Sequence, residues 1–67
     1  MITSKVKNTM EEKGMTVRGL AEKTGLALET IMRARGDMIG RCTLETLATI
    51  AGALGVRTKD LYEEVDG

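Results

Sequence analysis

Between two short segments of helical periodicity the chain has only Gly25, Leu26 and Ala27, so two helices must turn sharply on one another there. On the N-terminal side, Val17, Leu20, Ala21 and Thr24 fall within one narrow arc of a helix, and Thr16 stands where it caps the start. On the C-terminal side, a helix from about Leu28 to Arg35 sets Leu28 and Ile31 on one side, with Arg35 at its margin, and leaves Glu29, Met32 and Arg33 elsewhere. Gly25 offers the left-handed backbone that a sharp turn needs. A small residue where the backbones come close, and an aliphatic one to fill the angle between them, complete the requirements; Ala21 and Ile31 supply these. By itself the spacing Ala-x3-Gly-x5-Ile is a weak signal, common in helical proteins.

The flanking segments extend the pattern. Thr3 or Ser4 is placed to cap a first helix running to about Lys13, where Ile2, Val6 and Met10 recur every fourth residue and Gly14 stops it. After the central pair, the stretch from Gly36 to Cys42 carries turn chemistry around the apolar pair Met38 and Ile39, which is expected to fold back on the core. Thr43 then caps a fourth helix whose Leu44, Leu47, Ile50, Ala51 and Leu54 form the strongest apolar stripe in the sequence, with Gly55 as its stop. Thr58 to Tyr62 reads as a last helical turn, with Leu61 reaching back to the core. The acidic residues 63–67 are expected to fray. No segment alternates polar and apolar residues over four positions, so no strand is expected.

Composition excludes more than it asserts. The 67 residues contain no histidine and one cysteine, Cys42, which removes disulfide frameworks, zinc fingers and histidine-assisted hydrolysis. No carboxylate pair stands with a nucleophile and a glycine-rich phosphate loop, so no enzyme and no cofactor are expected. Cys42 reads as a small, half-buried residue before the fourth helix, and Met10 and Met15 as fillers of core gaps. There is neither a membrane span nor a signal-peptide apolar region, and the chain is read as a single cytoplasmic domain over 1–67 with its core at about 3–62. A core of this size contributes only a few kcal/mol, so a partner subunit would help it.

Formal net charge is zero, but the charges are not evenly spread. Up to Arg35 there are seven basic residues against four acidic ones; from Gly36 onward there are three against six. A polyanion would therefore meet the first half. An ordinary solvated surface of mixed sign fits the same counts.

Two blocks, Met15 to Leu26 and Thr43 to Val56, carry a resemblance to the phage-repressor and Cro-like helix-turn-helix family, often called XRE-like. They match in order, through Leu20-Ala21 and Gly25-Leu26, then Leu44-Glu45-Thr46-Leu47, Ile50-Ala51 and Ala53-Leu54-Gly55-Val56, ending at Leu61; the likeness spans roughly residues 3–62. It implies an all-α, lambda-repressor-like bundle of five helices whose third lies in the major groove of double-stranded DNA, in a transcriptional regulator of the repressor kind. The departures are Val17, where a phosphate-gripping Gln is common, Ala27 in place of a Ser or Thr cap, and Ala34-Arg35-Gly36 after the recognition helix, followed by a loop about one residue longer than usual.

Carried onto this chain, the family's base-contacting positions fall on Leu28, Glu29 and Arg33, with Thr30 and Met32 beside them. Arg33 has the fork that grips guanine O6 and N7; the alternatives are a phosphate contact or a solvated side chain. Glu29 can accept from a cytosine amine, and equally suits a surface position near a helix start. Leu28 can offer apolar contact only, for instance to a thymine methyl. Phosphate contacts are expected from Thr16, Arg18, Lys23, Thr30, Arg35 and Arg41, each of which also fits a plain cap or solvated charge. A homodimer on DNA is expected, joined through the fourth helix, the last turn and the C-terminal tail, with no membrane or small-molecule partner. The same fold without strong DNA binding, as in an antitoxin or accessory subunit, is the competing reading, favoured by the neutral charge and by the apolar Val17 and Leu28.

Overall fold

The paired helices at the centre form as the caps dictate. In the computed structural model, which describes residues 1–66, α2 (Val17–Thr24) opens with the Thr16 hydroxyl accepting from Gly19 N–H at 3.0 Å. It closes on Gly25, whose φ of 77° lets its N–H reach the Ala21 carbonyl at 2.8 Å. Leu26 packs against the core as the chain turns, and α3 (Leu28–Arg35) follows. Ala27 occupies the cap position of α3 with no side-chain acceptor. Ile31 of α3 is fully buried in the core.

The other helices are α1 (Val6–Glu12) and α4 (Leu44–Leu54). Thr43 caps α4 by accepting from Thr46 N–H at 3.1 Å, and Glu45 lies in its first turn, where the helix dipole favours an acid. At Gly55 (φ 74°) the helix ends with Val56 N–H bonded back to the Ala51 carbonyl at 3.0 Å, satisfying a carbonyl that would otherwise be orphaned. Val6, Met10, Leu20, Ile31, Ala34, Ile39, Leu47, Ile50, Ala51, Leu54 and Leu61 make one core, with Met15, Ala21, Leu26, Cys42 and Val56 packed against it.

Several expectations are corrected. There are four α-helices rather than five among the described residues; Asp37–Arg41 and Thr58–Leu61 are short 3-10 turns, the second standing where a last helix was expected. The chain is not purely helical. Ile2–Ser4 (β1) and Tyr62–Glu64 (β2) pair antiparallel, with Ile2 opposite Glu64, Thr3 opposite Glu63 and Ser4 opposite Tyr62. Thus Glu63 and Glu64 are paired instead of fraying; of the tail expected at 63–67, Gly67 lies outside the described residues. Backbone bonds from Lys5 N–H to Leu61 and from Val65 N–H to Met1, both 2.8 Å, continue the ladder at either end. Ile2 consequently leaves the α1 stripe that Val6 and Met10 maintain, and Lys5, not Thr3 or Ser4, takes the cap position. Ile39 folds onto the core as expected, whereas Met38 stays exposed.

Ser4 links this small sheet to the helix pair. Its hydroxyl donates to the Ala34 carbonyl, one of the last carbonyls of α3 lacking a helical partner, and accepts from Val6 N–H at 3.2 Å. The C-terminal end of α3 is thereby fastened to both termini of the chain.

Candidate nucleic-acid interface

The turn of a helix is about 100° per residue, which places Arg35, Leu28, Met32, Glu29 and Arg33 in that order round one arc of α3 and Thr30, Ala34 and Ile31 round the other. Burial follows the same division. Ile31 and Ala34 are buried and Thr30 is half-buried, while Leu28 and Met32 are 47% and 55% exposed and Glu29 and Arg33 are also exposed. The expectation that Leu28 shares the Ile31 side is therefore corrected: Leu28 lies at the edge where the core ends, and the helix turns it outward. Ala34, small and fully buried, and Ile31 are enough to hold α3 to the core.

The three residues expected at bases, Leu28, Glu29 and Arg33, thus share one exposed arc. Glu29 lies in the first turn, where the helix dipole favours an acid, and Arg33 and Arg35 in the last, where it favours a cation. Met32, noted in the sequence only as a neighbour, belongs fully to this arc. Counting positions from Leu28 at helical spacing was the signal that places it there.

The residues expected at phosphates are distributed over several elements. Thr16 and Arg18 stand exposed at the start of α2, and Lys23 exposed in its last turn. Thr16 is engaged as a cap, which leaves its hydroxyl proton free to donate elsewhere. Arg41 is exposed at the end of the turn Asp37–Arg41, which packs between α3 and β1. Arg35 is half-buried; its Nη1 lies 3.9 Å from Met32 Sδ, and its Nε is shielded from solvent without an acceptor among the described residues.

A capped helix, a left-handed glycine turn and a second helix presenting one exposed polar and apolar arc make the geometry of a helix-turn-helix unit. A family model described as the Cro/C1-type HTH DNA-binding domain matches residues 5–67. The chain belongs to the Cro/C1-type helix-turn-helix family of DNA-binding domains. No curated protein and no solved structure matches it. In this Cro/C1-type domain α2 and α3 are the two helices of the glycine-turned pair. Among the described residues, no group of His, Cys, Asp and Glu is arranged to hold a metal ion, and no helix is long and apolar enough to cross a membrane.

Proposed function

We propose that this Cro/C1-type domain is a sequence-specific transcriptional regulator that lays α3 in the major groove of double-stranded DNA and represses by occupying its site. The observation that carries the reading is the exposed arc of α3, where Leu28, Glu29 and Arg33 stand together on the second helix of the glycine-turned pair. Arg33 reads guanine through a bidentate contact, Glu29 accepts from a base amine, and Leu28 packs on an apolar base edge. Thr16, Arg18, Lys23, Thr30, Arg35 and Arg41 hold phosphates and set the register of the helix in the groove, carrying little sequence information themselves.

The domain acts as a homodimer on DNA. One recognition helix reads only a few base pairs, whereas two copies related by a dyad and spaced about 34 Å apart read a palindrome. A groove of about 280 Å³, lined by Ile2, Ile39, Leu44, Leu47, Tyr62 and Glu64, supports this surface. Leu44, 69% exposed, forms part of this lining, so a dyad through the groove sets the Leu44 of each copy against the apolar lining of the other.

The zero net charge and the exposed apolar Leu28 and Met32 favour a second reading, a protein-interaction module of the same fold, such as an antitoxin or accessory subunit. Retention on immobilised DNA at two salt concentrations separates the two. Retention that falls steeply with salt is expected of the regulator, since released counterions drive its binding. Passage through the column at both concentrations would favour the interaction module.

A further inference from the structure

We propose that Ser4 is a positioning residue for base reading: its hydroxyl, on the strand that joins the two chain ends, sets the last turn of α3 and with it how sharply the domain tells one DNA sequence from another. This rests on the DNA-binding reading above. The helices differ in how they end. Among the described residues, α1, α2 and α4 each finish at or beside a glycine in the left-handed conformation, Gly14, Gly25 and Gly55, a closure made within a few residues of the helix itself. α3 has no such closure. Gly36 follows it in extended backbone (φ −120°, ψ −162°), its N–H reaching the Arg33 carbonyl at 3.3 Å. The Ala34 carbonyl is met from elsewhere, by the hydroxyl of Ser4, 30 residues earlier in the chain. The end of α3 is thus located by a contact with another element.

Ser4 is itself anchored on two sides. It accepts from Val6 N–H at 3.2 Å, which ties it to the start of α1, and it pairs with Tyr62 across the small sheet. The bond of 2.8 Å from Lys5 N–H to the Leu61 carbonyl continues that pairing to a fully buried side chain. The hydroxyl therefore donates from a fixed point. Ala34 stands between Arg33 and Arg35, so the turn it fixes carries both a base-reading fork and a phosphate contact. These contacts differ in what they demand. A bidentate hydrogen bond needs its partners placed to about 0.5 Å, whereas a phosphate contact is largely charge attraction and tolerates displacement. Loosening the last turn of α3 consequently weakens binding to the preferred sequence more than binding to unrelated DNA. Lost stability acts differently, because a smaller folded fraction lowers both affinities by one factor. The ratio of the two affinities separates positioning from stability.

The test compares Ser4→Ala, Ser4→Val and Ser4→Thr with the parent, on a site selected from random DNA by the full chain and on its scrambled counterpart. Val and Thr are alike in shape, and Thr alone keeps a hydroxyl that donates and accepts. The ratio is expected to fall about tenfold for Ser4→Ala and Ser4→Val, the effect of one well-placed hydrogen bond, and to be kept by Ser4→Thr. It stays readable where a variant is partly unfolded, since the folded fraction cancels. Amide exchange gives a reading without DNA: in Ser4→Ala the N–H groups of Arg35 and Gly36 should exchange about tenfold faster relative to those of α4, as local opening of one turn requires. An unchanged ratio, equal losses for Ser4→Thr and Ser4→Val, or no relative gain in exchange at the end of α3 overturns the inference and leaves the DNA-binding reading standing. If the parent selects no DNA at all, both fall.

Discussion

Ala27 begins α3 with backbone angles suited to a cap and no side chain to act as one. The helix therefore starts with unsatisfied N–H groups that solvent or a phosphate must meet. Ala27→Ser is expected to stabilise the domain by about 1 kcal/mol, the usual worth of a cap, seen as a melting midpoint raised by roughly 4–8 °C in a domain of this size. No change in the midpoint would mean the first turn of α3 is already satisfied by other means. This weak start was legible in the sequence, because capping depends on one residue and its immediate neighbours. The outward turn of Leu28 was not. An apolar residue in the first turn, adjacent in angle to the buried Ile31 side, looks like core until packing shows that Ile31 and Ala34 fill the space. Arg35 is a similar case: its long side chain is half-buried, with Nη1 against Met32 and Nε shielded from solvent, a placement set by packing.

The elements that the sequence announces are the ones governed by local rules. Thr16 with Gly25 bounds α2, and Thr43 with Gly55 bounds α4, each by a cap and a left-handed glycine that act within a few residues. β1 and β2 obey no such rule. Three residues are too few to show alternation, and their pairing joins the two ends of the chain, a contact between positions more than fifty residues apart. The acidic run at Glu63 and Glu64 reads as solvated tail for the same reason, because only the partner strand reveals that its backbone is engaged. The pairing has a structural consequence, since Ser4 at the end of β1 satisfies the Ala34 carbonyl and so braces α3. Of all the elements α4 contributes most to the core, through Leu47, Ile50, Ala51 and Leu54. Leu47→Ala is expected to cost about 2–5 kcal/mol by opening a cavity, a large share of what a domain this small possesses. Thermal or denaturant unfolding checks it; a midpoint shifted by only a degree or two would contradict the burial of this residue.

At the scale of the molecule, equal numbers of acids and bases conceal an uneven distribution, basic up to Arg35 and acidic beyond Gly36. Helices α2 and α3 lie in the first part, and the groove lined by Leu44 draws largely on the second, so the proposed DNA contact and the proposed dimer contact draw mainly on different segments of the chain. Leu44→Asp separates them. Leu44 is the first residue of α4 and mostly exposed, and an acid there suits the helix dipole, so the fold is expected to survive. Sedimentation of protein with intact operator should then show one chain bound where the parent shows two. Two chains still bound by the variant would move the dimer surface elsewhere. The most direct measurement of sequence reading by α3 is the affinity of folded Arg33→Ala for a selected site and for its scrambled counterpart. A loss of about 1–3 kcal/mol on the site, with far less on the scrambled DNA, is the result expected of a bidentate base contact. Full discrimination retained by the folded variant would contradict the assignment of Arg33 and, with it, the placing of α3 in the groove.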